Sequence, residues 1–186
     1  MPQWLTADEQ RAWRGLLRMT WGLQARLNRE LQRTCGLSLA DYDVLVQLTE
    51  APDGKLRMFQ IADGLQWEQS RLSHHVGRMQ RRGLVAREGC SADRRGAFVV
   101  LADAGRDAIE KAAPAHVETV RRLVFDGLST EQVVMLESTV TEVLARLRNG
   151  GPGGSGLPAE AGVAGVGGRP QHLHAQVAEV GKNDGV

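Results

Sequence analysis

Between Ile61 and Leu101 the apolar side chains change from a helical to a strand-like repeat, which restricts the folds open to this 186-residue chain. Ile61-Ala62-Asp63-Gly64-Leu65 reads as a short apolar helix, and a second helix begins after Trp67. In that second helix Leu72, Val76 and Met79 recur at steps of four and three, so they form one buried stripe. Ser70, Arg71, Ser73, His74, His75 and Arg78 share the other faces. Gly83 stands where a left-handed residue would stop the helix. Leu84 to Glu88 and Ala97 to Leu101 then have strand character, and Gly89 to Gly96 is a polar loop between them.

A short helix, a tight turn, a second helix and an immediate hairpin make a winged helix-turn-helix. Hydroxyls, an imidazole and guanidinium groups on one helix can reach base edges and phosphates in a major groove. Arginines at a hairpin tip can enter the neighbouring minor groove. From Gln66 to Gly96 there are seven arginines and three acids, a balance of +4, against +1 for the whole chain. Positive charge is therefore concentrated where a polyanion would bind. The alternative for such a helix is a solvated face of a soluble bundle, and Arg81, Arg82 and Arg87 carry that alternative individually. His75 has the alternative of pointing inward as a satisfied core histidine.

The run Gln69 to Val76, Arg82-Gly83-Leu84-Val85 and Asp93 to Leu101 resembles the MarR family of bacterial transcription regulators. In that family an Asp-x-Arg-Gly wing precedes the second strand and a Leu-Thr-x-x-Gly helix start. Asp93, Arg95 and Gly96 match the wing, and Leu101 and Gly105 match the helix start. Ala102 replaces the usual threonine, so Asp103 is expected to take over the N-cap. The resemblance covers roughly residues 6 to 148 and implies that Arg95 pairs with Asp93 to brace the wing. It also implies a small, often phenolic effector bound where the dimerisation helices meet the winged lobe; Trp13, Trp21 and Tyr42 are the candidates to line that site. Plain core packing is the alternative for these aromatics.

The expected fold is mainly α with a small β-hairpin wing: a DNA-binding lobe at 38–101, flanked by dimerisation helices at 6–36 and 103–148. Thr6-Ala7-Asp8-Glu9 is a capping box that opens a helix reaching Cys35, with Gly36 as its stop. Ser38 caps a helix to about Glu50, Lys55 to Arg57 forms a short strand, and Met58 to Leu65 is the first helix of the helix-turn-helix. A long helix from Asp103 to about Asp126 contains Pro114, which should kink or bend it. Ser129 to Gln132 is a second capping box, before a stripe of Val133, Leu136, Val140, Val143, Leu144 and Leu147. Amphipathic helices at both ends can interleave with two-fold mates, which points to a homodimer. Residues 149–186 hold 11 of the chain's 22 glycines and are expected to be a disordered tail.

Two-fold pairing would place two reading helices roughly 34 Å apart, about one duplex turn, so the double-stranded DNA operator should be an inverted repeat. Ser70, Arg71, Ser73 and His74 are the candidates for base edges or nearby phosphates, Arg78 for the backbone and Arg94 for the minor groove. The expected function is a repressor released by a small effector. A thiol-based redox sensor using Cys90 or Cys35 is the alternative. An enzyme is not expected, because Ser73-His74-His75 is contiguous on one helix and cannot fold into a nucleophile, base and orienting group. No cofactor or metal is expected, and His172 and His174 are too few for a firm metal site. Two cysteines and no long apolar run lead to the expectation of a soluble, cytoplasmic protein without a membrane span.

Overall fold

The fold is described from a computed structural model, which describes residues 3–90 and 93–149, with side chains at 3–89 and 97–148. Six α-helices and three strands follow in the order α1 (Ala7–Cys35), α2 (Leu39–Glu50), β1 (Lys55–Arg57), α3 (Met58–Leu65), α4 (Gln69–Arg81), β2 (Val85–Cys90), β3 (Asp93–Leu101), α5 (Asp103–Val120) and α6 (Thr130–Asn149). A π-helical segment, Arg121–Phe125, extends α5.

Local signals place most of these boundaries. Thr6 and Glu9 form the reciprocal capping box of α1, and Gly36 ends it in the left-handed region at φ 68°. Ser38 caps α2 in the same reciprocal way with Asp41. Before α6, Gln132 N donates to Ser129 Oγ at 3.3 Å and Ser129 N to Gln132 Oε1 at 2.9 Å. Between α3 and α4 the turn is closed by Trp67 N donating to Ala62 O at 2.9 Å. Gln66 takes the left-handed position there at φ 54°.

The sheet has the order β1-β3-β2, antiparallel throughout. Leu56 faces Val99 in β3, and Val85 faces Leu101. One core gathers Leu31 and Leu37 near the end of α1, Val44, Leu45 and Leu48 of α2, Ile61, the α4 stripe, Val99 and Ile109. Its apolar burial is the main favourable term of the fold. The N-terminal half of α1 and nearly all of α6 lie outside that core. Trp13, Leu16, Met19 and Trp21 on α1 are exposed, as are Val134, Met135, Val140, Val143 and Leu147 on α6.

Two expectations need correction. The hairpin strands run on to Cys90 and from Asp93, past the expected loop boundaries at Gly89 and Gly96, with a register shift between Gly89 and Cys90. Backbone pairing propagates there without an apolar pattern to announce it. The N-cap of α5 is Ala102, with no side-chain hydrogen bond; Asp103 is the first helical residue and does not cap. Pro114 lies inside α5, and π-helical turns follow at Arg121–Phe125. Arg82 is exposed, and its guanidinium is nonetheless bound within the protein, as shown below. The expected tail lies outside the described residues, as do the side chains of Asp93, Arg94, Arg95 and Cys90.

Candidate nucleic-acid interface

Helix α4 divides cleanly by burial. Leu72, His75, Val76 and Met79 are buried, while Ser70, Arg71, Ser73, His74 and Arg78 are exposed. The helix contains no carboxylate. Its exposed face therefore carries cations, hydroxyls and amides but no negative charge, which suits phosphate oxygens and the acceptor edges of bases.

Beneath that face lies a polar cluster that fixes the helix to the rest of the lobe. His75 Nε2 sits 3.0 Å from Asp41 Oδ1, off the line of a well-formed hydrogen bond. Arg82 Nη1 donates to Asp41 Oδ2 at 2.7 Å and its Nη2 to Gly36 O at 2.8 Å. Arg78 Nη2 lies 2.8 Å from His75 Nδ1. Arginine can only donate, so Nδ1 accepts and the ring proton belongs on Nε2, facing Asp41. Burial pushes the Asp41 carboxyl up, but the close His75 ring nitrogen, together with hydrogen bonds from the Ser38 backbone and hydroxyl and from Arg82, outweighs it. They hold Asp41 well below the usual carboxylate range.

Two further contacts orient the site. Arg87 Nη2 donates to Ser73 O at 3.1 Å, tying β2 to α4. In the first turn of α4 the Arg71 guanidinium lies 4.3 Å from the Trp67 ring centroid. On the sheet, the Lys55 ammonium and Arg57 guanidinium stand over Phe98 at 5.8 and 4.4 Å. The structure thus brings Ser70, Arg71, Ser73, His74 and Arg78 onto one helix face. Asp41 and Trp67 were missed as site residues. The Ser38-x-x-Asp41 spacing announced a helix cap but carried no sign of His75 or Arg82.

A MarR family model matches residues 36–96. The crystal structure of Sco3205, a MarR family transcriptional regulator from Streptomyces coelicolor in complex with DNA, is 40% identical, covers 85% of this chain and 97% of its own, and superposes with a TM-score of 0.78. This chain belongs to the MarR family of transcriptional regulators. AbsC, a MarR family regulator from the same organism, is 39% identical over 80% of this chain and all of its own, with a TM-score of 0.75. CouR from Rhodococcus jostii RHA1, bound to p-coumaroyl-CoA, is 25% identical over 69% of this chain and 87% of its own, with a TM-score of 0.60. No curated protein matches the sequence.

In this MarR-family chain Tyr42 is half-buried and stacks on His116 of α5, with centroids 4.4 Å apart and planes at 29°. Burial pushes the Tyr42 phenol up to about 12, helped by Asp43, Cys35 and Glu50. Burial lowers His116, whose Nδ1 has no hydrogen-bond partner among the described residues. Trp13 and Trp21 are exposed on α1, at 51% and 63%. The Cys35 thiol donates to Leu31 O at 3.1 Å within its own helix. Among the described residues no helix is long and apolar enough to cross a membrane, and no three His, Cys, Asp or Glu side chains are grouped to hold a metal.

Proposed function

We propose that this MarR-family regulator acts as a homodimeric repressor that binds an inverted-repeat operator and is released by a small phenolic effector. The observation that carries the reading is the exposed, carboxylate-free face of α4. Ser70, Arg71, Ser73 and His74 are assigned to base edges and adjacent phosphates. Arg78, held by His75, is assigned to the phosphate backbone. Arg94 is assigned to the minor groove, with Asp93 and Arg95 bracing the wing. The exposed apolar side chains of α1 and α6 support a two-fold partner covering both helices.

CouR, crystallised with p-coumaroyl-CoA, supports a phenolic class of effector. Tyr42 is assigned to that site, with Trp13 and Trp21 as its further aromatic candidates. An effector would release DNA only through its different affinity for the bound and free conformations.

The test is to select binding duplexes from a random pool and measure affinity against salt, mass in solution, and release by phenolic acids and their thioesters. Enrichment of a palindromic sequence, a dimer mass and a log-log salt slope of about 0.9 per phosphate contact are expected. A monomer indifferent to duplex DNA in dilute buffer would overturn the reading.

A further inference from the structure

We infer that Trp67 is a positioning residue that holds Arg71 in a reading posture and so sets the sequence preference of the recognition helix. This rests on the assignment of α4 to DNA made above. Arg71 occupies the third position of α4, in the turn that enters a major groove first in helix-turn-helix docking. Arg82 is tied to Asp41 and Gly36 and Arg87 to the Ser73 carbonyl, while Arg78 reaches His75 with one guanidinium nitrogen and keeps its other donors for a phosphate. Arg71 makes no ion pair among the described residues. Its contact there is with the Trp67 ring, at 4.3 Å. A guanidinium attracted to a ring face keeps its N–H donors available for the O6 and N7 acceptors of guanine.

Trp67 is itself held from three sides. Its backbone N–H is fixed to Ala62 O in the turn between α3 and α4. Its side chain packs against the buried core, and its ring meets His75 edge to face at 5.5 Å and 88°. His75 in turn faces Asp41 at 3.0 Å. An exposed arginine normally loses rotamer freedom when it docks. Here part of that ordering is already present before DNA arrives, which is how pre-organisation raises discrimination without adding a contact.

The test uses the duplex enriched by the wild-type dimer from a random pool, together with its single-base variants. Arg71→Ala should flatten one base position per half-site. Trp67→Leu should lower the preference at that same position by about two- to five-fold, leaving other positions and the salt slope unchanged. Trp67→Phe, which keeps a ring, should restore most of the preference. An even loss over all positions, or no loss at the Arg71 position, would overturn the inference. If Trp67→Leu does not hold its fold by circular dichroism, fluorinated tryptophan decides. In a chain with Trp4, Trp13 and Trp21 replaced by phenylalanine, ring fluorination should reduce the same preference, and an unchanged preference would sink the idea. If wild-type protein enriches no sequence at all, the DNA assignment itself has failed and this inference falls with it.

Discussion

His75 Nε2 and Asp41 Oδ1 face each other at 3.0 Å, both side chains more than nine-tenths buried, and so join the recognition helix to the start of α2. Removing one partner of a buried pair leaves the other charge or dipole uncompensated. Asp41→Ala also strips Arg82 of its carboxylate and α2 of its reciprocal cap. A loss of about 3 kcal/mol in urea unfolding is expected. Because the folded carboxyl is held below its ordinary value of 3.8, the stability it contributes is complete above that value and lost as pH falls below it. Asp41→Asn should therefore lose less stability on acidification than the wild type.

Asp43, one residue past Tyr42, behaves in the opposite sense. Burial pushes its carboxyl up to about 6, with His75 opposing the shift. Protonated Asp43 suits the fold, so the wild type loses stability as pH rises from the ordinary value through 6. Asp43→Asn should match wild type near pH 4 and gain on it up to a plateau above pH 6, by up to roughly 3 kcal/mol. Thermal melts across that range provide the check.

The missing cap of α5 is a simple deficit to repair. Ala102 has the extended backbone of an N-cap, φ −82° and ψ 160°, but no oxygen to offer the first turn. Ala102→Thr should stabilise the protein by about 1 kcal/mol in chemical denaturation, without a change in DNA affinity. No gain would mean that the helix N-terminus is satisfied some other way.

Gly105 is needed for space. A Cβ there would stand 2.0 Å from the Leu84 carbonyl oxygen, which already accepts from Ala102 N. Backbone cannot rotate aside as a side chain does. Gly105→Ala should cost about 2 kcal/mol or more, and an unaffected melting temperature would show that α5 can slide away from β2.

Leu147 is 64% exposed on α6, with Met135 at 69%. If these side chains meet a second copy, Leu147→Glu should halve the mass seen by light scattering and weaken operator binding at low protein concentration. A variant that keeps the dimer mass would place the partner contact elsewhere.

Much of this architecture was legible because its signals are local. The capping boxes at Thr6 and Ser129, the stops at Gly36 and Gly83, and the stripe of Leu72, Val76 and Met79 each depend on residues within a few positions of one another. The polar face of α4 was legible for the same reason, since the three-residue stripe dictates which side chains remain outside, although the burial of His75 stood only as an alternative. The strand ends at Cys90 and Asp93 were not, because a ladder is extended by its partner strand. The cap of α5 was misplaced by one residue, since Asp103 is a good capping type at the wrong backbone angle.

The sequence by itself determined which segments are helices, where most of them stop, and which face of α4 is polar, because short-range sterics, capping and periodicity need no distant partner. Only the tertiary structure decided which cations remain available. Arg82 and Arg71 are chemically alike, yet the first is tied to a buried carboxylate brought from α2 and the second rests on an indole beside the helix. Charge and hydrogen-bond capacity belong to the residue, whereas their compensation depends on distance, and distances between remote residues exist only once the chain has folded.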